Sequence, residues 1–208
     1  ASATGLETAF CLEAEADPSS GTYEVTFLAR DRTGLFSDVA GVMALNDINI
    51  LSARIYTWRD GTAVDIFTVT PPLDPIHTEE IWERIKKDLA EAFEGRLPLS
   101  KRLQQKAEPS ILSRKKTLRR QTQVIVDNSS SDFFTLIEVF ADDRIGLLYQ
   151  ITHALFTLGI DIRVAKIATK GDQVADVFYV LDLEGQKAME HPKEEEIRDV
   201  LLRELSTY

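Results

Sequence analysis

The chain writes one polar, glycine-containing turn twice. "DRTGLF" occupies Asp31 to Phe36, and "DRIGLL" occupies Asp143 to Leu148, 112 residues further on. Set without gaps, Asp31–Thr57 and Asp143–Thr169 share nine of 27 positions: Asp31/Asp143, Arg32/Arg144, Gly34/Gly146, Leu35/Leu147, Ile48/Ile160, Ile50/Ile162, Ala53/Ala165, Ile55/Ile167 and Thr57/Thr169. After a one-residue gap at "WRDG" against "KGD", the match resumes as "AVDIFTV" against "VADVFYV". This pairs Asp65 with Asp176 and Phe67 with Phe178. A turn is where a duplicated fold tolerates such a gap. Two units are too few for a solenoid, whose repeats need several neighbours to bury a continuous core. The chain therefore reads as two tandem copies of one small domain.

Each copy carries the same order of periodicities. Thr22–Ala29 alternates, with Tyr23, Val25 and Phe27 on one face, and predicts a strand. Gly34–Leu45 places Leu35, Val39 and Val42 at helical spacing. Ile48–Trp58 and Thr62–Thr70 are β-branched runs around "RDG", a hairpin signal. Thr78–Glu94 predicts a helix burying Ile81, Ile85, Leu89 and Ala92, with "TEE" as cap and acidic first turn. The second copy gives Phe134–Ala141, Ile145–Leu158, Ile160–Thr169, Val174–Leu183 and Glu194–Leu205. Each copy is thus β-α-β-β-α preceded by a short strand-like piece, Ala9–Glu13 in the first and Gln123–Asp127 in the second. Helices on one face of an antiparallel sheet make an α+β, ferredoxin-like architecture. Apolar residues on both sides of the second hairpin strand (Ala63, Phe67 and Val69 against Val64 and Ile66) imply that the bare sheet face is covered, most simply by the other copy or by a second chain.

These periodicities divide the 208 residues into a first domain over 1–95, a linker over 96–121 and a second domain over 122–208. Arg96 to Arg120 holds nine Lys/Arg and one acid, Glu108, and reads as a solvated linker or a docking strip for an acidic partner. The net charge of −10 argues against nucleic acid as a partner for the whole chain. No apolar run reaches the length of a membrane span. The single cysteine, Cys11, allows no disulfide within the chain and fits a cytoplasmic location. The chain opens "ASATG" without Met and is expected to be a piece of something longer.

Catalytic and metal-binding patterns are missing from the sequence. His77, His153 and His191 stand in unrelated contexts, none with a second His or Cys at ligand spacing. There is no P-loop, no G-x-G-x-x-G, no G-x-S-x-G, no Asp-x-Asp pair for two metals and no His-Asp doublet. What remains is the twice-written turn between a strand and a helix. Free N–H groups at a helix N-terminus favour a carboxylate or phosphate. Gly34 admits close approach of a ligand or a neighbouring strand. Asp31 either caps the helix or accepts an ammonium group, and acceptor and donors side by side suit a zwitterionic amino acid. The plainer reading is that Asp31 caps, Arg32 is solvated and Gly34 is steric.

Asp-Arg-x-Gly-Leu at a strand-to-helix turn followed by "INILSARIYTWRDGTAVDIF" resembles an ACT domain. "DDRIGLLYQITHALFTLGIDIRVAKIATKGDQVADVFYV" resembles another. With "VIVDNSSSDFFTLIEV" between them, the tandem is similar to the C-terminal end of the bifunctional PII uridylyltransferase/uridylyl-removing family. The resemblance runs from about Phe10 to the end of the chain. It implies a glutamine-sensing regulatory module without a catalytic site of its own, whose partners are L-glutamine or another small amino acid, the N-terminal catalytic domains of a parent chain, and PII. An ACT–ACT homodimer is a further expectation. No cofactor is expected here, whereas the parent enzyme would use Mg and UTP. The residues carried over to effector binding are Asp31, Arg32, Gly34 and Leu35; Asp143, Arg144, Gly146 and Leu147; and Asn49 and Asp161, placed at the start of the next strand, facing the turn. The competing reading is a free-standing double-ACT regulator that acts by contacting another protein.

Overall fold

The computed structural model describes residues 10–32, 34–107, 121–170, 173–188 and 191–206. The first half runs β1 (Phe10–Asp17), β2 (Thr22–Arg30), α1 (Leu35–Leu45), β3 (Ile50–Thr57), β4 (Thr62–Val69), α2 (Thr78–Phe93) and α3 (Leu99–Ala107). The second runs β5 (Gln123–Asp127), β6 (Thr135–Asp142), α4 (Leu147–Thr157), β7 (Ile160–Lys166), β8 (Thr169–Lys170), β9 (Gln173–Asp182) and α5 (His191–Ser206).

All the strands join one antiparallel sheet in the order β1-β2-β4-β3-β7-β9-β6-β5, with the short β8 pairing β9 off this path. The order reads the same from either end once equivalent strands are matched, so the two copies lie about a local two-fold axis. The upstream pieces β1 and β5 occupy the two outer edges. The period-2 alternation holds along β2, β4 and β9. Val25, Phe27 and Ala29 on β2, and Ala63, Phe67 and Val69 on β4, are buried against the helical layer. The second copy repeats this with Ile137, Val139 and Ala141 and with Val174, Phe178 and Val180. The helices answer with Leu35, Val39 and Val42 on α1, Ile85 and Leu89 on α2, Ile151 and Leu155 on α4, and Ile197 and Leu201 on α5. Each such side chain contributes about 1.5–3 kcal/mol by leaving water.

The copies meet edge to edge. β3 pairs β7 through Ser52↔Lys166, Ala53↔Ala165 and Arg54↔Val164. Helices α1 and α4 pack alongside each other above this seam. Gly41 makes that packing possible: a Cβ there would stand 2.8 Å from the Tyr149 ring and 3.1 Å from Leu99. Of the two covers expected for the bare sheet face, the other copy is ruled out, because it pairs at the sheet edge instead. Lateral pairing satisfies the backbone groups of two inner edges at once, which face-to-face stacking leaves open. Tyr56 and Trp58 on the opposite side of the first copy stay 48% and 57% exposed.

Part of the stretch expected to be a solvated linker is a helix. α3 buries Leu99 and Leu103, and its Lys106 Nζ donates to the carbonyls of Ala44 (3.1 Å) and Leu45 (2.6 Å), capping the C-terminus of α1. The rest of the basic strip, 108–120, lies outside the described residues. The expected Thr cap of α2 is also displaced. His77 holds the N-cap position, and Asp74 turns the chain into it by accepting the N–H groups of Ile76 and His77.

Candidate functional site at the seam between the copies

The repeated turns stand at the two ends of the seam. Gly34 and Gly146 occupy the N-cap positions of α1 and α4 with φ of +82° and +78°, which explains glycine at both. Neither helix start has a side-chain cap, so Asp31 does not cap. It accepts a hydrogen bond from the Thr57 hydroxyl at 2.9 Å, and its own N–H donates to the Gly61 carbonyl at 2.8 Å, tying the turn to the β3–β4 hairpin. The first N–H of each helix folds back onto the turn, Leu35 to the Arg32 carbonyl and Leu147 to the Arg144 carbonyl.

The two arginines are held differently. Arg32 pairs with Asp38 and lies 4.5 Å over the Phe93 ring of α2. Arg144 donates to Gln150 Oε1 at 2.7 Å and to the Leu205 carbonyl at 3.1 Å. Asp38 and Gln150 are equivalent in the repeat, so an ion pair in one copy is a neutral contact in the other.

Each turn opens on a cavity of about 530 Å3, and each cavity is completed by the other copy. The first contains Asp31, Arg32, Gly34 and Leu35 from the first copy and Asp161, Arg163 and Phe156 from the second. The second contains Asp143, Arg144, Gly146 and Leu147 together with Asn49 and Leu51 of the first copy. All ten residues singled out in the sequence thus line one cavity or the other. Asn49 and Asp161, however, were expected beside their own copy's turn, and the structure exchanges them. The β3–β7 pairing carries each strand start across the seam to the opposite turn.

The cavities are unequal in chemistry. Asp161 and Arg163, paired at 2.6 Å, stand in the first where Asn49 and Leu51 stand in the second. Thr152 and Phe156 of the first are replaced by Ala40 and Ala44. The first cavity also gathers buried polar atoms without hydrogen-bond partners: Ser37 Oγ, both carboxylate oxygens of Asp65, and Arg163 Nε.

Asp65 and its counterpart Asp176 escaped the sequence reading as site residues, though the repeat aligns them. Parity was the available signal. Asp65 sits between Ala63 and Phe67 on the inward face of β4, where an acid is out of place unless it serves something. Burial, reinforced by the negative charge of Asp31, pushes its carboxyl up to about 7; the Tyr56 peptide group, outside hydrogen-bond geometry, eases ionisation weakly. Burial likewise raises Asp176 to about 7, although its Oδ1 accepts the Ala168 N–H at 3.3 Å. Asp161 is raised by burial against the opposing pull of Arg163. Among the described residues no group of three or more His, Cys, Asp and Glu side chains is placed to hold a metal ion. Among them, too, no helix is long and apolar enough to cross a membrane.

Residues 23–90 match the ACT domain family, and residues 123–208 match the ACR9-like, ACT-like domain family. Two matches in tandem, on two copies of one antiparallel sheet-and-helix unit, make the chain a pair of ACT-type domains, a regulatory module by class. The chain is 41% identical over 186 residues to the bifunctional uridylyltransferase/uridylyl-removing enzyme of Rhodospirillum rubrum, covering 89% of this chain and 20% of that protein. The enzyme of the same name from Novosphingobium aromaticivorans is 41% identical over 177 residues, covering 85% and 19%. The chain thus spans about a fifth of the length of these relatives, and the matches together fit the C-terminal ACT region of that enzyme family. The crystal structure of aspartate kinase from Synechocystis aligns at 17% identity and a TM-score of 0.46, over 90% of this chain and 27% of that one.

Proposed function

We propose that the chain is the amino-acid sensor of a uridylyltransferase/uridylyl-removing enzyme and that L-glutamine is its effector. In this reading glutamine shifts the parent enzyme, a cytoplasmic protein using Mg and UTP, from adding UMP to PII towards removing it. The observation that carries the reading is the first seam cavity. It sets carboxylates (Asp31, Asp161) and a guanidinium (Arg163) around one space of a size suited to a small ligand. Carboxylates and a guanidinium lining one space suit a zwitterion. Because both copies build the cavity, a bound ligand would resist any change in how they pair, which is the requirement for passing a signal.

Titration calorimetry of the chain with L-glutamine tests this, with glutamate, serine and glycine as controls. Saturable binding selective for glutamine is expected. Heats no larger than those of the controls sink the glutamine reading. The chain alone is expected to neither transfer nor remove UMP, and either activity would overturn its assignment as a purely regulatory module.

A further inference from the structure

Asp65 presents both carboxylate oxygens, buried and without a hydrogen-bond partner, on the wall of the first cavity, and the residue is 1% exposed. A buried acid left in this way is costly in either protonation state, and more so when charged. The backbone around it is regular ladder: Asp65 stands opposite Phe27 on β2 and Ile55 on β3, neither of which offers a polar side chain. Among the described residues each cation lining the cavity already holds an acid. Asp31 and Asp161 repel its charge, Arg163 holds Asp161 through Nη2 while its Nε stays unpartnered and makes no hydrogen bond to Asp65, and Arg32 is engaged with Asp38 at the start of α1. Among the described residues no cation pairs with Asp65.

We propose that Asp65 accepts the ammonium group of the ligand that fills the first cavity, so that ligand uptake ionises Asp65 and releases its proton to solvent. This rests on the amino-acid-sensor reading and adds to it the residue that recognises the ammonium group and a coupling of binding to pH. The proton passes from the neutral carboxyl to buffer, and the carboxylate left behind pairs with the ligand's ammonium. With the free carboxyl titrating near 7, release approaches one proton per ligand at pH 6 and falls towards zero at pH 8. Affinity accordingly rises with pH across that interval. Asp176 marks the contrast, since its Oδ1 already has the Ala168 N–H and the second cavity lacks the Asp161–Arg163 pair.

The experiment is calorimetry of the whole chain with L-glutamine at pH 6, 7 and 8, each in two buffers of different ionisation enthalpy. It is repeated with Asp65→Asn, with Asp176→Asn and with glutaramic acid, which keeps the carboxylate and amide but lacks the ammonium. Wild type is expected to release protons in the stated pH order. Asp65→Asn abolishes that release and weakens binding at least tenfold at pH 8, Asp176→Asn leaves both, and glutaramic acid binds without proton release. Binding by wild type with no buffer dependence overturns the proposal whatever the variants do. So does an Asp65→Asn protein that binds and releases protons like wild type. Absence of binding by every amino acid tried overturns the sensor reading itself and takes the proposal with it.

Discussion

Ala53 and Ala165 face each other across the β3–β7 ladder, and each is fully buried. They are the same position of the repeat, so the local two-fold axis passes between them. Only small side chains fit there beneath the α1–α4 contact. Replacing Ala53 by Leu is expected to lower stability by about 1–3 kcal/mol through overpacking. It should also weaken ligand binding, because both cavities straddle this ladder. Urea unfolding with a midpoint equal to wild type would show that the seam is looser than described.

The left-handed conformations of Gly34 and Gly146 make Gly→Ala costly at both, by about 1–2 kcal/mol each. A Cβ would stand 3.4 Å from the Phe156 ring at Gly34 and 3.4 Å from Leu103 at Gly146, ordinary contacts, so the strain is in the backbone. Stability losses should therefore be similar while effects on glutamine binding differ. Gly34→Ala is expected to weaken binding the more, since its turn serves the cavity with the charged pair. Equal loss of affinity in the two variants, read by calorimetry, would remove the distinction between the sites.

Asp65 and Asp176 carry carboxyls raised to about 7 in the folded chain, against the ordinary carboxylate value of about 4 in the unfolded one. Between those values the folded state holds more protons. The stability these two groups contribute is thus full below about pH 4 and is lost as pH rises to about 7. Asp65→Asn, neutral at every pH, should stabilise the ligand-free chain at pH 8 by on the order of 2–4 kcal/mol and change it little at pH 4.5. Asp17, held down to about 2 by the hydroxyls of Ser19 and Ser20, acts in the opposite sense and only in more acid solution. Thermal melts of wild type and variant from pH 4.5 to 8 check the sign; a gain that is constant with pH would mean that Asp65 is ionised throughout.

Leu103 is 4% exposed and touches the second copy's turn from within the stretch that joins the copies. Leu103→Ala should cost about 2–4 kcal/mol, as for a packed core position. Its exposed neighbour Gln104→Ala should stay within about 0.5 kcal/mol. Equal, small effects from both in a denaturant series would restore the picture of a solvated tether.

The repeat made most of the fold legible. Four of the five helices and the long strands follow from a period of 3.6 or 2, and the positions of Gly34 and Gly146 at strand-to-helix turns follow from the motif itself. Charge composition did not reveal α3, because in "LSKRLQQKA" two leucines spaced four apart are enough to bury one face while seven other residues remain outside the buried set. The mode of assembly was also hidden. An antiparallel edge carries its pairing capacity in backbone groups, which are the same for every sequence, so nothing in β3 or β7 distinguishes a free edge from a paired one. Asn49 and Asp161 were legible as neighbours of a turn but not of which turn. Asp65 aligns with Asp176 in the repeat, but its flanking residues, Val64 and Ile66, read as plain core.

The lateral pairing of the halves has one more consequence. In a pair of separate identical chains about a two-fold axis, the two ends of such a seam match by necessity. They also come apart on dilution. Written into a single chain, the halves stay joined at any concentration. Their ends are also free to differ, so a cavity that carries the Asp161–Arg163 pair at one end coexists with one that has Asn49 and Leu51 in those places at the other. The module can be asymmetric inside a symmetric frame.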